Sequence, residues 1–533
     1  MKLGIVENVL GPGTERERFA RAARMGLAGV EVVWASEDTP RPEERVRRLQ
    51  AARQASGLAI PSLMLADHNR GGIASADPEV ARRAVEDVRT AIGIARELGA
   101  RVVLVPFFFA GELVGSRDME RAAAAFRLLC PEAERAGVQL AYEGTLPAED
   151  IQTLAVQIAS PAFGCYFDPG NAVWQGMDPD AEARALGALV RQVHLKDARI
   201  GPGDCRPGLG RVDWPLFARG LREGRYDGWL VLETPGGPLE LVARDASFAR
   251  WTFPELGPAG PLQLGIFSFE FGPGEERRLA TVCQDLGLGA VQLGGALLDE
   301  ALADEARAQT IRATLAGAGV GICALAGYRN LVAPDAARRR ENLAYLRRCL
   351  ELAPQMGTSV VATETGTRHP ESDWLGVAEN RGEATWHLLL EGLRELVEVA
   401  ERHGSILAIE GFVNNVTRTC GDVLGMLEGV PSEHLQLVLD PYNYIGRALL
   451  KVKERALTDF LQRFEPHFVL AHAKDVSSQG AELDTPEFGT GVLPQRPYLE
   501  FWRSRRPELP LILEHLPLEH VPAAMARVRD ILG

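Results

Sequence analysis

Two sets of four side chains could hold a metal ion. The first is Glu143 in Tyr-Glu-Gly, Asp168 in Asp-Pro-Gly-Asn, His194 in His-Leu-Lys-Asp and Glu233 in Leu-Glu-Thr-Pro. The second is Glu410 in Ile-Glu-Gly, Asp440 in Asp-Pro-Tyr-Asn, His472 in His-Ala-Lys-Asp and Glu514 in Leu-Glu-His-Leu. Three carboxylates and one imidazole make a hard, oxygen-rich donor set. Such a set favours Mn²⁺ first, then Mg²⁺ or Co²⁺, over a closed structural Zn²⁺ site, with one ion expected per set. Coordination positions left open would accept two oxygens of a substrate. Lys196 and Lys474 stand two positions after each histidine. On a strand they share its inward face and could pair with a substrate oxygen or an oxyanion.

Each of the eight ligands ends a short apolar run. In the first half these runs are 3–6, 29–33, 60–65, 101–107, 139–143, 163–168, 190–196 and 229–233. Longer amphipathic stretches at 15–25, 42–54, 80–98 and 119–136 alternate with them. After a Pro/Gly-rich stretch the count starts again at 264–267, 290–293, 320–325, 359–363, 406–410, 435–440, 468–474 and 511–514. Eight strands alternating with helices predict a closed parallel barrel, so the fold class is α/β, two tandem (β/α)8 TIM barrels. The predicted boundaries are a first barrel over 1–253, a linker over 254–261 and a second barrel over 262–533. In this fold the strand C-terminal ends converge on one mouth, which gathers all four ligands of a half. The gaps between successive ligands are 25, 26 and 39 residues in the first half and 30, 32 and 42 in the second. Unequal gaps are expected when ligands ride on rigid strands and the loops between them drift.

The chain has 533 residues, 46% hydrophobic and 24% charged, which suits two globular domains. Its net charge of −14 argues against a nucleic-acid surface, which needs clustered Lys and Arg. No apolar run is long enough to span a bilayer, and no signal peptide is visible. Seven cysteines with no CxxC pair suggest reduced thiols and a cytoplasmic protein.

Both halves resemble the xylose isomerase-like barrels of the sugar phosphate isomerases and epimerases (the AP endonuclease 2 superfamily), which include ketose 3-epimerases, hydroxypyruvate isomerase and inosose dehydratase. The likeness rests on His-x-Lys-Asp, Asp-Pro-x-Asn and a Gly-x-Gly after the seventh strand, Gly208-Leu-Gly and Gly489-Thr-Gly. It spans the chain as two copies. The segment 362–367, Ala-Thr-Glu-Thr-Gly-Thr, adds to it in the second half. The resemblance implies that two ligand glutamates also serve as an acid–base pair on opposite faces of a sugar: Glu143 with Glu233, and Glu410 with Glu514. One removes a proton to give a cis-enediolate and the other returns one. It further implies substrate contacts at Glu149, Asn171 and Arg199, and at Asn443. Epimerases carry a histidine where Asn171 and Asn443 stand. Val416 replaces the Glu149 equivalent in the second half, and Ser477 and Ser478 stand where an arginine is expected. His68, Trp34 and Arg368, all near strand ends, are further candidates to line a mouth. For His68 and Trp34, structural packing competes with that role on equal terms.

The expected function is a metal-dependent isomerase or epimerase acting on an unphosphorylated sugar, keto-sugar or polyol derivative. The alternatives are a lyase or dehydratase acting on inosose or a 3-keto-glycoside, an endonuclease IV-like repair enzyme, and a non-catalytic second barrel. The endonuclease reading is remote, because only His194 and His472 lie in ligand motifs. The expected partners are a small sugar or polyol and further copies of this chain, with no nucleic acid and no membrane.

Overall fold

The computed structural model describes residues 1–35, 41–258, 262–482 and 485–533. It divides into two compact units, Met1–Gly260 and Pro261–Gly533. Each contains a closed barrel of eight parallel strands.

The first barrel is built from Lys2–Val6, Gly29–Trp34, Ser62–Leu65, Val102–Phe107, Gln139–Gly144, Phe163–Phe167, Val190–Leu195 and Trp229–Leu232. Neighbours in sequence pair in parallel register around the ring, and Lys2–Val6 closes it against Trp229–Leu232. The strands are rich in Val, Leu and Ile and buried on both faces, as parallel strands sheathed by helices must be. The helices stop and start on local chemistry. Asp77 caps Pro78–Leu98 by accepting from the amides of Glu79 and Val80, and that helix ends on left-handed Gly99.

The second barrel repeats the plan with Leu264–Phe267, Ala290–Leu293, Gly321–Ala326, Val360–Glu364, Ile406–Glu410, Leu435–Leu439, Phe468–Ala473 and Leu511–Leu513. One feature of the first unit has no strand counterpart among the described residues of the second: a short hairpin, Asp197–Ala198 with Pro202–Cys205, follows the seventh strand.

Residues 254–258, read from the sequence as the start of a linker, are folded onto the first unit. Pro254–Leu256 forms a 3-10 turn, Leu256 packs on the core and Glu255 pairs with Arg222. The rest of that stretch, 259–261, lies outside the described residues. Among the described residues no helix is long and apolar enough to cross a membrane. None of the seven cysteines forms a disulfide among the described residues.

Candidate metal centres

Each barrel gathers its four predicted ligands at the strand C-terminal ends. In both sets the ligand atoms lie within 4.8 Å of one another. Donors about 2 Å from a shared ion cannot be much farther apart than twice that length, so each set is spaced to hold one ion.

In the first barrel Glu143 is the penultimate residue of the fifth strand, Asp168 follows the sixth, His194 lies in the seventh and Glu233 follows the eighth. His194 is fully buried. Its Nδ1 is 2.9 Å from Glu143 Oε1 and 3.0 Å from Glu233 Oε2. Asp168 divides its two oxygens. Oδ1 accepts from the amides of Gly170 and Asn171 at 2.8 and 3.1 Å, capping the helix Pro169–Trp174. Oδ2 faces Lys196 Nζ at 2.8 Å. Lys196 also donates to Glu233 at 2.6 Å.

A residue absent from the motifs orients the imidazole. Glu31, buried in the second strand, lies 2.9 Å from His194 Nε2. Its other oxygen accepts from Ser62 and from Tyr166 at 2.6 Å, and Gln192 donates to both hydroxyls. An ionised carboxylate can only accept, so Nε2 carries the hydrogen and Nδ1 is turned to the ligand cluster.

The second barrel makes the same centre with different support. His472 Nδ1 is 3.3 Å from Glu410, 3.7 Å from Asp440 and 3.1 Å from Glu514. Its Nε2 meets Gln292 Oε1 at 2.8 Å, so an amide stands where Glu31 stands in the first barrel. Lys474 reaches Asp440 at 2.9 Å, Glu514 at 3.1 Å and Asn443 Oδ1 at 3.1 Å. Asn443 donates to Glu410 and Asp440. Tyr328 donates to Glu410 at 2.7 Å. Asp440 Oδ1 is buried with no hydrogen-bond partner among the described residues, the condition of an oxygen awaiting a cation.

A fifth carboxylate joins this centre. Glu364 ends the fourth strand in register with Glu410, and Asn415 donates to it at 2.6 Å. The corresponding partner of Glu143 in the first barrel is Pro106, which has no carboxylate.

The electrostatics follow from crowding charges out of water. Burial pushes Glu143 up to about 7, against the pull of His194. Glu233 is less buried than Glu143, and Lys196 and His194 outweigh its burial and hold it low. In the second barrel Lys474 and His472 overcome burial and bring Glu410 down to about 2, while burial and the charge of Glu410 drive Glu364 well up. Both histidines are raised well above the usual imidazole range. Burial opposes this, and the surrounding carboxylates outweigh it.

The candidates named for substrate contact scatter. Asn171 is buried beside Asp168, with Nδ2 unpartnered among the described residues. Asn443 sits inside the second cluster. Glu149 is exposed in the first turn of Ala148–Ile158, outside the cluster. Arg199 is exposed and its guanidinium donates to Leu209 O. Arg368 donates to the carbonyls of Val332 and Ala333. Trp34 is buried beneath the Arg45 guanidinium, 5.1 Å away, a packing contact. His68 is buried in the turn Ala66–Arg70, both ring nitrogens without partners among the described residues, and burial brings it down to about 4.

A cavity of about 830 Å³ opens over the second centre, lined by Glu410, Glu514, Lys474, Glu364 and several aromatic rings. Beside Glu233 in the first barrel lies a cavity of about 230 Å³.

The family model described as xylose isomerase-like TIM barrel matches residues 19–250 and 280–531. Over 114 residues the chain is 37% identical to 2-epi-5-epi-valiolone 7-phosphate 2-epimerase of an Actinoplanes species. That stretch is 21% of this chain and 41% of the relative. Over 280 residues it is 27% identical to L-ribulose-5-phosphate 3-epimerase UlaE of Escherichia coli, covering 49% of this chain and 97% of the relative. Among solved structures, 3-keto-D-glucoside 4-epimerase from E. coli superposes with a TM-score of 0.41 at 18% identity, covering 47% of this chain and 98% of that one.

Proposed function

Both halves of the chain belong to the xylose isomerase-like TIM barrel family, and from that premise we propose that the protein is a divalent-metal-dependent isomerase or epimerase of a sugar, keto-sugar or polyol derivative. The observation that carries the reading is the ligand quartet formed twice, each time at a barrel mouth. The named relatives, which epimerise sugar or cyclitol phosphates, support the reaction class. Mn²⁺ is the proposed ion and the cytoplasm the proposed location, in keeping with seven cysteines outside any disulfide.

A divalent ion held by the quartet would polarise the substrate carbonyl and acidify the adjoining C–H. The remaining work falls to the chain. Glu143 and Glu233 both approach His194 Nδ1, and their surroundings push their proton affinities apart. That division suits one carboxyl to donate and the other to accept. Abstraction by one and return by the other, from the opposite face, converts the sugar through its cis-enediolate. Lys196 holds Glu233 ionised and presents an ammonium to a developing oxyanion. In the second barrel Glu410 and Glu514 are the corresponding pair and Lys474 the corresponding ammonium; both carboxyls are held low there, and the carboxyl driven up beside them is Glu364.

The test is deuterium incorporation by NMR in D₂O. Mn²⁺-loaded protein would be offered a panel of ketoses, inosose and 3-keto-glycosides. Exchange next to the carbonyl with mass otherwise conserved is expected, and Glu143→Gln or Glu410→Gln should cut it by about 10²-fold or more in the barrel affected. Loss of a leaving group would move the reaction to elimination. No exchange across the panel with metal bound would end the proposal.

A further inference from the structure

We propose that the second barrel takes an uncharged sugar bearing an apolar substituent, of the aryl-glycoside kind, and rejects phosphate esters. The inference rests on the reading of that centre as a sugar site, and it adds the substrate class.

Size comes first. The cavity of about 830 Å³ lies at the upper end of the range that encloses drug-sized ligands, so one sugar ring over the centre leaves much of it unfilled. The unfilled part is apolar. Phe267 and Phe269 stack with ring centroids 5.0 Å apart, next to Tyr328 and Phe412. At the rim Phe269, Trp374 and Leu375 are each more than half exposed. Three large apolar side chains held in water around one cavity mark a surface that a ligand covers.

Charge decides the second half of the proposal. Among the described lining residues the basic groups are Lys474 and His515, and both are already committed. Lys474 sits among Asp440, Glu514 and Glu410 at 2.9–3.4 Å, and His515 Nε2 is 3.2 Å from Glu514. Glu270, Glu364 and Glu482 add carboxylates to the same wall. A phosphate dianion would enter a field of its own sign with no unpaired cation to receive it.

Binding to the Mn²⁺-loaded full-length protein tests this without turnover. Phenyl and methyl β-glycosides of glucose, galactose and mannose, and the corresponding 6-phosphates, would be titrated by calorimetry. At least one phenyl glycoside should bind about tenfold more tightly than its methyl counterpart. Trp374→Ala and Phe269→Ala should each shrink that advantage to about threefold or less, with the melting curve unchanged. Phosphates should bind no more tightly than methyl glycosides. Equal affinity for phenyl and methyl partners, tighter binding of a phosphate, or no binding of any glycoside would overturn the proposal. Deuterium exchange into a keto-sugar without aryl preference would remove this inference and leave the enediolate reading intact. Aryl preference without exchange on any substrate would uphold the binding class and remove the enediolate reading.

Discussion

At the scale of single residues, the two centres differ most in what stands behind the histidine. Glu31 presents a carboxylate to His194, whereas Gln292 presents an amide to His472. A carboxylate makes the far nitrogen a stronger donor to a cation, and losing such a partner typically weakens metal binding by about 10–100-fold. Glu31→Gln should therefore lower the Mn²⁺ affinity of the first site by about that factor and bring it close to the second, as measured by competition with a metal indicator. Unchanged affinity would show that Glu31 only fills space. The protons already in the site set a pH dependence. Glu143 is pushed up to about 7 and His194 well above its usual value, so both hold protons below neutrality that a metal must displace. Affinity should rise with pH, about 100-fold per unit below pH 7 while both protons are released. Above it, where Glu143 is already ionised, the rise should slow to about tenfold. His472 is raised too, so the second site follows the same sign. A flat profile between pH 6 and 8 would contradict this arrangement.

At the scale of elements, the aspartate and the Gly-x-Gly that follow each histidine form one device. Asp197 accepts from the amides of Gly208, Gly210 and Val212 and from the Trp214 indole. Asp475 accepts from Gly489, Gly491 and Leu493 in the same order. The two glycines are required for different reasons. Gly208 and Gly489 adopt φ of +83° and +78°, which side chains disfavour. Gly210 and Gly491 lack room, because a Cβ would come within 2.1 Å of Asp197 Oδ1 and within 2.3 Å of Val476 O. Gly491→Ala should cost about 1–3 kcal/mol by overpacking, visible as a lower urea midpoint. It should also weaken the second metal site, since Asp475 anchors the strand end that carries Lys474. Stability and metal affinity both unchanged would refute that coupling. The strands themselves were legible, because apolar runs between turns announced all sixteen, most of them within a residue or two of their observed ends. The supporting shell was not. Reading by repetition finds only what both halves share, and Glu31 matches a glutamine while Glu364 matches Pro106. Arg199 and Arg368 stand near strand ends, as read. The Arg199 guanidinium donates to Leu209 O in the same loop, and that of Arg368 to Val332 O and Ala333 O in the loop after the third strand.

At the scale of the whole molecule, the question is whether two quartets make two enzymes. The sequence left two readings open, barrels with different substrates or one barrel without catalysis, because the second half lacks counterparts to Glu149 and Arg199. Neither residue joins the first cluster, and a cavity of about 830 Å³ lies over the second. Each quartet is drawn entirely from one unit, so each should fill without the other. The intact protein should bind about two Mn²⁺ per chain, read by calorimetry or by the loss of the free-ion EPR signal. Glu143→Gln and Glu410→Gln each remove a charged ligand from one set, and each should reduce the count towards one while sparing the affinity of the other site. A variant that emptied both sites would mean that they fill as a unit. If the counts separate, substrate losses should separate as well. Glu410→Gln should abolish exchange on bulky glycosides, and Glu143→Gln should spare it, because the roomy cavity belongs to Glu410. Loss of that exchange in Glu143→Gln alone would reverse the assignment and make the second barrel a holder of metal and ligand without chemistry of its own.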